Sequence, residues 1–233
     1  MVEYPYPSEE EMAWFQGLGM KRIYLDSTFK YYPVFGKILR ENKQILAQTA
    51  SAVKPQEREL FFNFLFTASI QSLIASGPAL EKACTALLRI HQRIGVYMQS
   101  LLLLLSSKGI IKTITDLETV GNLANALGMN ATYVLAKGLP EVGDKLHTMA
   151  DVTRACESFL AVANAAGTNV QTVFGLLFSQ VRHLIVSLND IVPVGYALIE
   201  AWKQETRQKD IEAFVKGFLA TRAFSSARMK RAA

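Results

Sequence analysis

The sequence predicts an all-α protein, a compact multi-helix bundle of about seven to nine helices with short loops and an extended aromatic N-terminal arm. Apolar residues recur every three or four positions along most of the chain, and no stretch has the alternation or β-branched density of a strand. The 14 glycines and 7 prolines fall almost entirely between these periodic stretches, leaving loops of roughly two to six residues, a spacing that favours antiparallel neighbours. Ser8 with Glu11, and Thr115 with Glu118, have the spacing of capping boxes at the start of periodic segments.

Residues 1–33 read as the arm. They hold Tyr4, Tyr6, Tyr24, Tyr31 and Tyr32, with one short helix opened by Ser8, buried through Trp14 and Phe15, and ended by Gly17 and Gly19. An amphipathic helix follows from Pro33 to Lys54, where Pro55 stops it. Pro55 then starts a helix running to the Gly77-Pro78 break, with no charge between residues 60 and 80. A long helix follows from Pro78 to Lys108, apolar on every side at Leu101 to Leu105. The Thr115 box opens a helix ending at Gly128, and a short segment reaches Gly138. Pro140 begins a long helix to Gly167, and Thr168 or Asn169 caps the next, which runs to Asn189-Asp190. The last two helices span about Ile191 to Arg207 and the residues after Asp210. No internal repeat of fixed period is visible. The expected division is an arm (1–33), a single helical domain (34–223) and a basic tail (224–233).

Charge is scarce. Hydrophobic residues make up 50% and charged residues 19%, against roughly 25% charged in ordinary soluble domains, and mean hydropathy is +0.17. Either several helices are enclosed, or apolar surface meets a protein or a lipid. The net charge of +5 hides an acidic start, with Glu3, Glu9, Glu10 and Glu11, and a basic end. Arg222, Arg228, Lys230 and Arg231 would contact an anionic surface such as lipid headgroups. Cys84 and Cys156 have no metal-binding or redox spacing and read as core residues of a protein in a reducing intracellular compartment. The N-terminus lacks the pattern of a cleavable signal peptide. The windows Leu60–Leu80 and Ser158–Val181 are long enough to span a bilayer, but each carries Asn and Gln that lipid would leave unsatisfied. Burial against protein is the better reading, with peripheral membrane contact possible.

Catalytic patterns are weak. On a continuous helix, Asp144, His147 and Asp151 would share one face with Glu141 a turn earlier, yet a metal-binding bundle needs such motifs in facing pairs and no second copy exists. His91 and His183 have no carboxylate at helical spacing, no nucleophile sits in a Gly-flanked turn, and phosphate loops are absent. The basic residues form no stripe, so nucleic acid is an unlikely partner. The expectation is therefore a non-enzymatic structural or accessory subunit of a multiprotein, membrane-associated complex, without a cofactor or metal. Its contacts would be made by Trp14, Phe15, Tyr31 and Tyr32, and by whichever of Phe61, Phe62, Phe64, Phe174 and Phe178 is exposed. The alternatives are a lipid or small-molecule-binding bundle and a metal-dependent enzyme using the Asp144/His147/Asp151 face.

Overall fold

The computed structural model describes residues 6–231, excepting the side chains of 176, 177 and 222–231. Among the described residues there is no strand, and the helices are shorter and more numerous than the seven to nine expected. The chain divides into two compact units after Ala126. Nothing in the composition marks that point, which falls near the end of a helix.

In the first unit the expected extended arm is instead folded. It forms two helices, α1 (Glu9–Gly17) and α2 (Arg22–Tyr31), which bury Met12, Phe15, Met20 and Leu25. Met12 and Phe15 lie three apart on α1, Leu25 and Thr28 three apart on α2, and Met20 is buried in the connection between them, so each helix has one inward side. The expected helix over 33–54 is cut at Asn42, where the backbone leaves the helical basin (φ −120°, ψ 38°) and the side-chain amide donates to the Ile38 carbonyl at 2.7 Å. The cut gives α3 (Pro33–Glu41) and α4 (Lys43–Ser51). The uncharged window after Pro55 makes only two short helices, α5 (Arg58–Asn63) and α6 (Ala68–Gln71). Then come α7 (Gly77–Ile94), α8 (Met98–Ser107) and α9 (Ile114–Leu127). α7 packs on α3 and α4.

The second unit begins with a π-helical segment, Thr132–Gly138, that runs into α10 (Leu139–Glu141). The long helix expected from Pro140 to Gly167 is broken between Val142 and Thr148, because Leu146 and Thr148 are extended. The helix α11 (Met149–Ala166) starts instead at a capping box: the Asp151 N–H donates to the Thr148 hydroxyl, and Asp151 accepts the Thr148 N–H. Beyond Gly167 lie α12 (Val170–Thr172), a second π-helical segment (Val173–Leu177) and α13 (Phe178–Val181), followed by α14 (Ile191–Lys203) and α15 (Ile211–Arg231). Within this unit α11 lies along α14, α14 lies on α15, and the two π segments pack together. Phe159 of α11 joins Phe174 and Phe178 at centroid distances of 5.2–5.7 Å.

The helices from Ser76 onward follow one local plan. Each hairpin opens at a hydroxyl residue, Ser76, Thr113, Thr148 or Ser187, whose side chain accepts an N–H three residues on. These positions are 37, 35 and 39 residues apart. In the last three hairpins the third residue after the cap is Asp116, Asp151 or Asp190, which returns the bond. Counting from each cap, the fourth, seventh, eighth, eleventh and fourteenth residues are buried. The eighth is always small: Cys84, Gly121, Cys156, Gly195. The first helix of each hairpin ends near a residue of positive φ, Gly95, Gly128, Gly167 or Glu205, at +51° to +56°, and the second enters through a 3-10 turn. In the first unit α7 and α9 come close at Ala86 and Gly121, and in the second α11 lies along α14; a hairpin that recurs along the chain is a feature of helical repeat proteins.

The small eighth position has a steric reason. A Cβ on Gly121 would lie 2.9 Å from the Ala86 Cα, and one on Gly195 would lie 2.3 Å from a Val162 methyl. Neighbouring first helices approach closely at these points.

Candidate interaction surface

The outer side of α2 and the start of α3 gather exposed apolar side chains. The three acids at the start of α1 are partly spent on fastening this region. Glu9 and Arg22 form a two-pronged pair at 2.8 and 2.9 Å, and Arg22 also reaches Asp26 at 3.1 Å, which accepts the Tyr6 hydroxyl. Glu11 accepts from Arg40 at 2.9 Å and Lys43 at 3.1 Å, tying α1 to α3 and α4. The Arg22 hydrogen bonds and charge hold the Glu9 carboxyl below its ordinary range. Desolvation pushes Glu11 upward, but Lys43 and Arg40 together outweigh it and its pKa is lowered. Inside the clamp, Phe15 meets Phe29 at 5.8 Å and Trp14 at 5.1 Å between ring centroids.

With Leu25 and Thr28 turned inward, the opposite side of α2 presents Ile23, Ser27 and Tyr31 at i, i+4 and i+8, all exposed. Tyr32 and Val34 continue the exposure at the corner into α3. Ile23 is 69% exposed, Tyr31 64% and Val34 57%. Lys30 sits 5.0 Å from the Tyr31 ring centre. Neither the core of this unit nor the ion pairs around α1 cover these side chains.

Tyr31 and Tyr32, expected as contact residues, are therefore on the surface, and Trp14 is half-buried with Lys43 over its ring at 5.4 Å. Phe15, Phe61, Phe62, Phe64, Phe174 and Phe178 are buried within their units and cannot make such contacts. Stretches apolar on all sides gave no hint of which side faces out. The side chains of Arg222, Arg228, Lys230 and Arg231, expected on an anionic surface, lie outside the described residues. Ile23 and Val34 went unread, although the Ile23/Ser27/Tyr31 spacing was available.

The Asp144/His147/Asp151 face does not exist, because the chain is not helical between Leu146 and Thr148. Asp151 is occupied by capping and Asp144 pairs with Lys145 at 2.7 Å. The other two histidines find carboxylates through the tertiary fold. His91 Nε2 lies 2.9 Å from Glu57, beside a cavity of about 350 Å³ whose lining includes Lys54 and Gln92, and that hydrogen bond lowers the Glu57 pKa. His183 lies 3.1 Å from Glu212. No group of three or more metal-ligating side chains occurs among the described residues. Cys84 and Cys156 are buried and free, and burial pushes their thiols up to about 11 and about 12. Among the described residues no helix is long and apolar enough to cross a membrane.

The chain matches no protein-family model, no characterised protein and no solved structure.

Proposed function

We propose that the protein is a non-enzymatic subunit of a larger assembly, acting by contact with other proteins. The observation that carries this reading is the exposed corner of Ile23, Tyr31, Tyr32 and Val34. It stands on helices that ion pairs and a buried aromatic cluster hold in place, so a partner would meet a largely preformed apolar surface. Hairpin repeats support the same reading, since proteins built from them commonly offer extended binding faces. Partners in a membrane-associated complex fit the low charge of the chain.

A hydrophobic reporter dye tests the corner directly. The purified chain is expected to bind it, and Ile23→Ser/Tyr31→Ser/Val34→Ser to lose most of the signal at unchanged thermal stability. A wild-type chain that binds no dye and stays monomeric would count against the reading. A second reading, a small-molecule carrier, has one observation in its favour: a groove of about 160 Å³ lined by Phe64, Leu102 and Leu103 with Thr67, Ser69, Gln99 and Ser106. Native mass spectrometry of the purified protein would reveal a retained ligand.

A further inference from the structure

We infer that the groove between α8 and the α5–α6 connection binds a single uncharged aromatic ring bearing a hydroxyl, a phenol by chemical class. The inference rests on the small-molecule reading above and adds the size and chemistry of what the groove holds.

The walls come from two stretches of chain. Gln99, Leu102, Leu103 and Ser106 fall at i, i+3, i+4 and i+7 of α8 and so share one of its sides. Phe64, Thr67 and Ser69 supply the rest of the lining. Phe64 and Leu102 are buried, whereas Leu103 is 67% exposed, so apolar contact runs from the depth of the groove to its lip. Along the α8 side the two leucines lie between polar ends, Gln99 and Ser106, about 10 Å apart along the axis.

Volume sets the size of the ligand. An apolar cavity of about 150 Å³ takes up one benzene, and this groove measures about 160 Å³. Drug-sized molecules occupy pockets of roughly 300–1,000 Å³, so a lipid or a fused-ring compound would be left largely outside. Lining chemistry sets the rest. None of the lining residues is charged, and a charged ligand would lose water there without meeting a counter-charge. The Phe64 ring favours an aromatic ligand over a saturated one of the same size. Four of the lining side chains can hydrogen-bond. The Thr67 hydroxyl already donates to the Phe64 carbonyl at 2.8 Å, which leaves its lone pairs to accept a ligand O–H, while Ser69 and Gln99 can donate to a ligand oxygen. The Ser106 hydroxyl is buried with no hydrogen-bond partner among the described residues. Buried hydroxyls are normally paired, so this wall has a hydrogen bond still to make.

The test is an NMR titration of the full chain with p-cresol and three relatives that each change one property. Toluene lacks the hydroxyl, 4-methylcyclohexanol lacks the aromatic ring, and p-toluate carries a charge. p-Cresol is expected to bind about tenfold more tightly than toluene and severalfold more tightly than 4-methylcyclohexanol, with p-toluate weakest, and to shift the amides of residues 64–69 and 99–106. Leu103→Trp, which fills the groove from its exposed lip, should abolish binding. Ser69→Ala/Gln99→Ala should bring p-cresol down to the level of toluene, both variants keeping the wild-type Tm. A short peptide with one tyrosine separates the two sources of such a ring: tighter binding than p-cresol assigns it to a partner protein, weaker binding to a free molecule. Equal binding of p-cresol and toluene, a preference for p-toluate, or shifts that survive Leu103→Trp overturn the inference. If native mass spectrometry finds a retained ligand of another class while p-cresol fails, the carrier reading stands and this inference falls. A chain that retains nothing and binds no probe removes both.

Discussion

At Thr148 the chain leaves an irregular turn and enters α11 because a hydroxyl and a carboxylate satisfy two backbone N–H groups in exchange. Thr148→Ala should cost about 1 kcal/mol in chemical denaturation, the usual loss for an N-cap. The pH dependence has a definite sign. The Thr148 hydroxyl, with the N–H groups of His147 and Thr148, lowers the Asp151 pKa below 3.8. A carboxylate depressed in the folded state adds stability that is present above its unfolded pKa and is lost as pH falls through its folded one. The gap between wild type and Thr148→Ala should therefore stay constant from about pH 7 down to the unfolded carboxyl pKa of about 4 and narrow only as pH falls further, through the lowered folded value. This box could have been read from Thr148-x-x-Asp151. It was hidden by the regular apolar spacing of Val142, Leu146 and Met149, which suggests an unbroken helix across the cap.

Among the helices, close approach decides where small residues are needed. Glycine inside a helix normally costs about 1 kcal/mol relative to alanine, so Gly→Ala should stabilise wherever there is room. Gly217 in α15 has nothing within 4 Å of its missing Cβ, and Gly217→Ala should raise stability by up to about 1 kcal/mol. At Gly195 the same methyl would meet Val162, whose branched side chain is stiff. Overpacking costs about 1–3 kcal/mol, enough to cancel or exceed the propensity gain, so Gly195→Ala should destabilise. Thermal unfolding of the two variants, with opposite shifts in Tm, checks this. Helix ends at Gly128 and Gly167 were legible because a positive φ selects glycine. The repeat was not legible, since its intervals are unequal and only size classes recur: the eleventh position is Leu87, Ala124, Phe159 and Leu198 in turn. The break at Asn42 was missed for a similar reason, because apolar periodicity continues across it from Phe35 to Val53.

For the molecule as a whole, scarce charge was a sound guide to composition and a poor guide to surface. The uncharged window from residue 60 to 80 became two short helices and turns that bury Phe61, Phe62, Phe64 and Phe66. Exposed apolar residues instead gather on α2 and the start of α3, where charges are interspersed, while others, among them Val96, Leu103, Met129 and Val186, lie singly along the rest of the chain. Alternation of polar and apolar residues carries facing information, and a continuous apolar run carries none. Tyr31 and Tyr32 were named as part of an aromatic arm together with Phe15, and composition alone could not tell that the tyrosines are exposed and Phe15 is buried. The role proposed for the α2–α3 corner is to hold a partner. It is tested most directly by quantitative co-purification from the protein's native cells, comparing the tagged wild-type chain with Ile23→Ser/Tyr31→Ser/Val34→Ser at matched Tm and abundance. The wild type is expected to recover a stoichiometric set of partner proteins and the variant to lose it. A wild-type chain recovered alone, or a variant that keeps the same set, would contradict it.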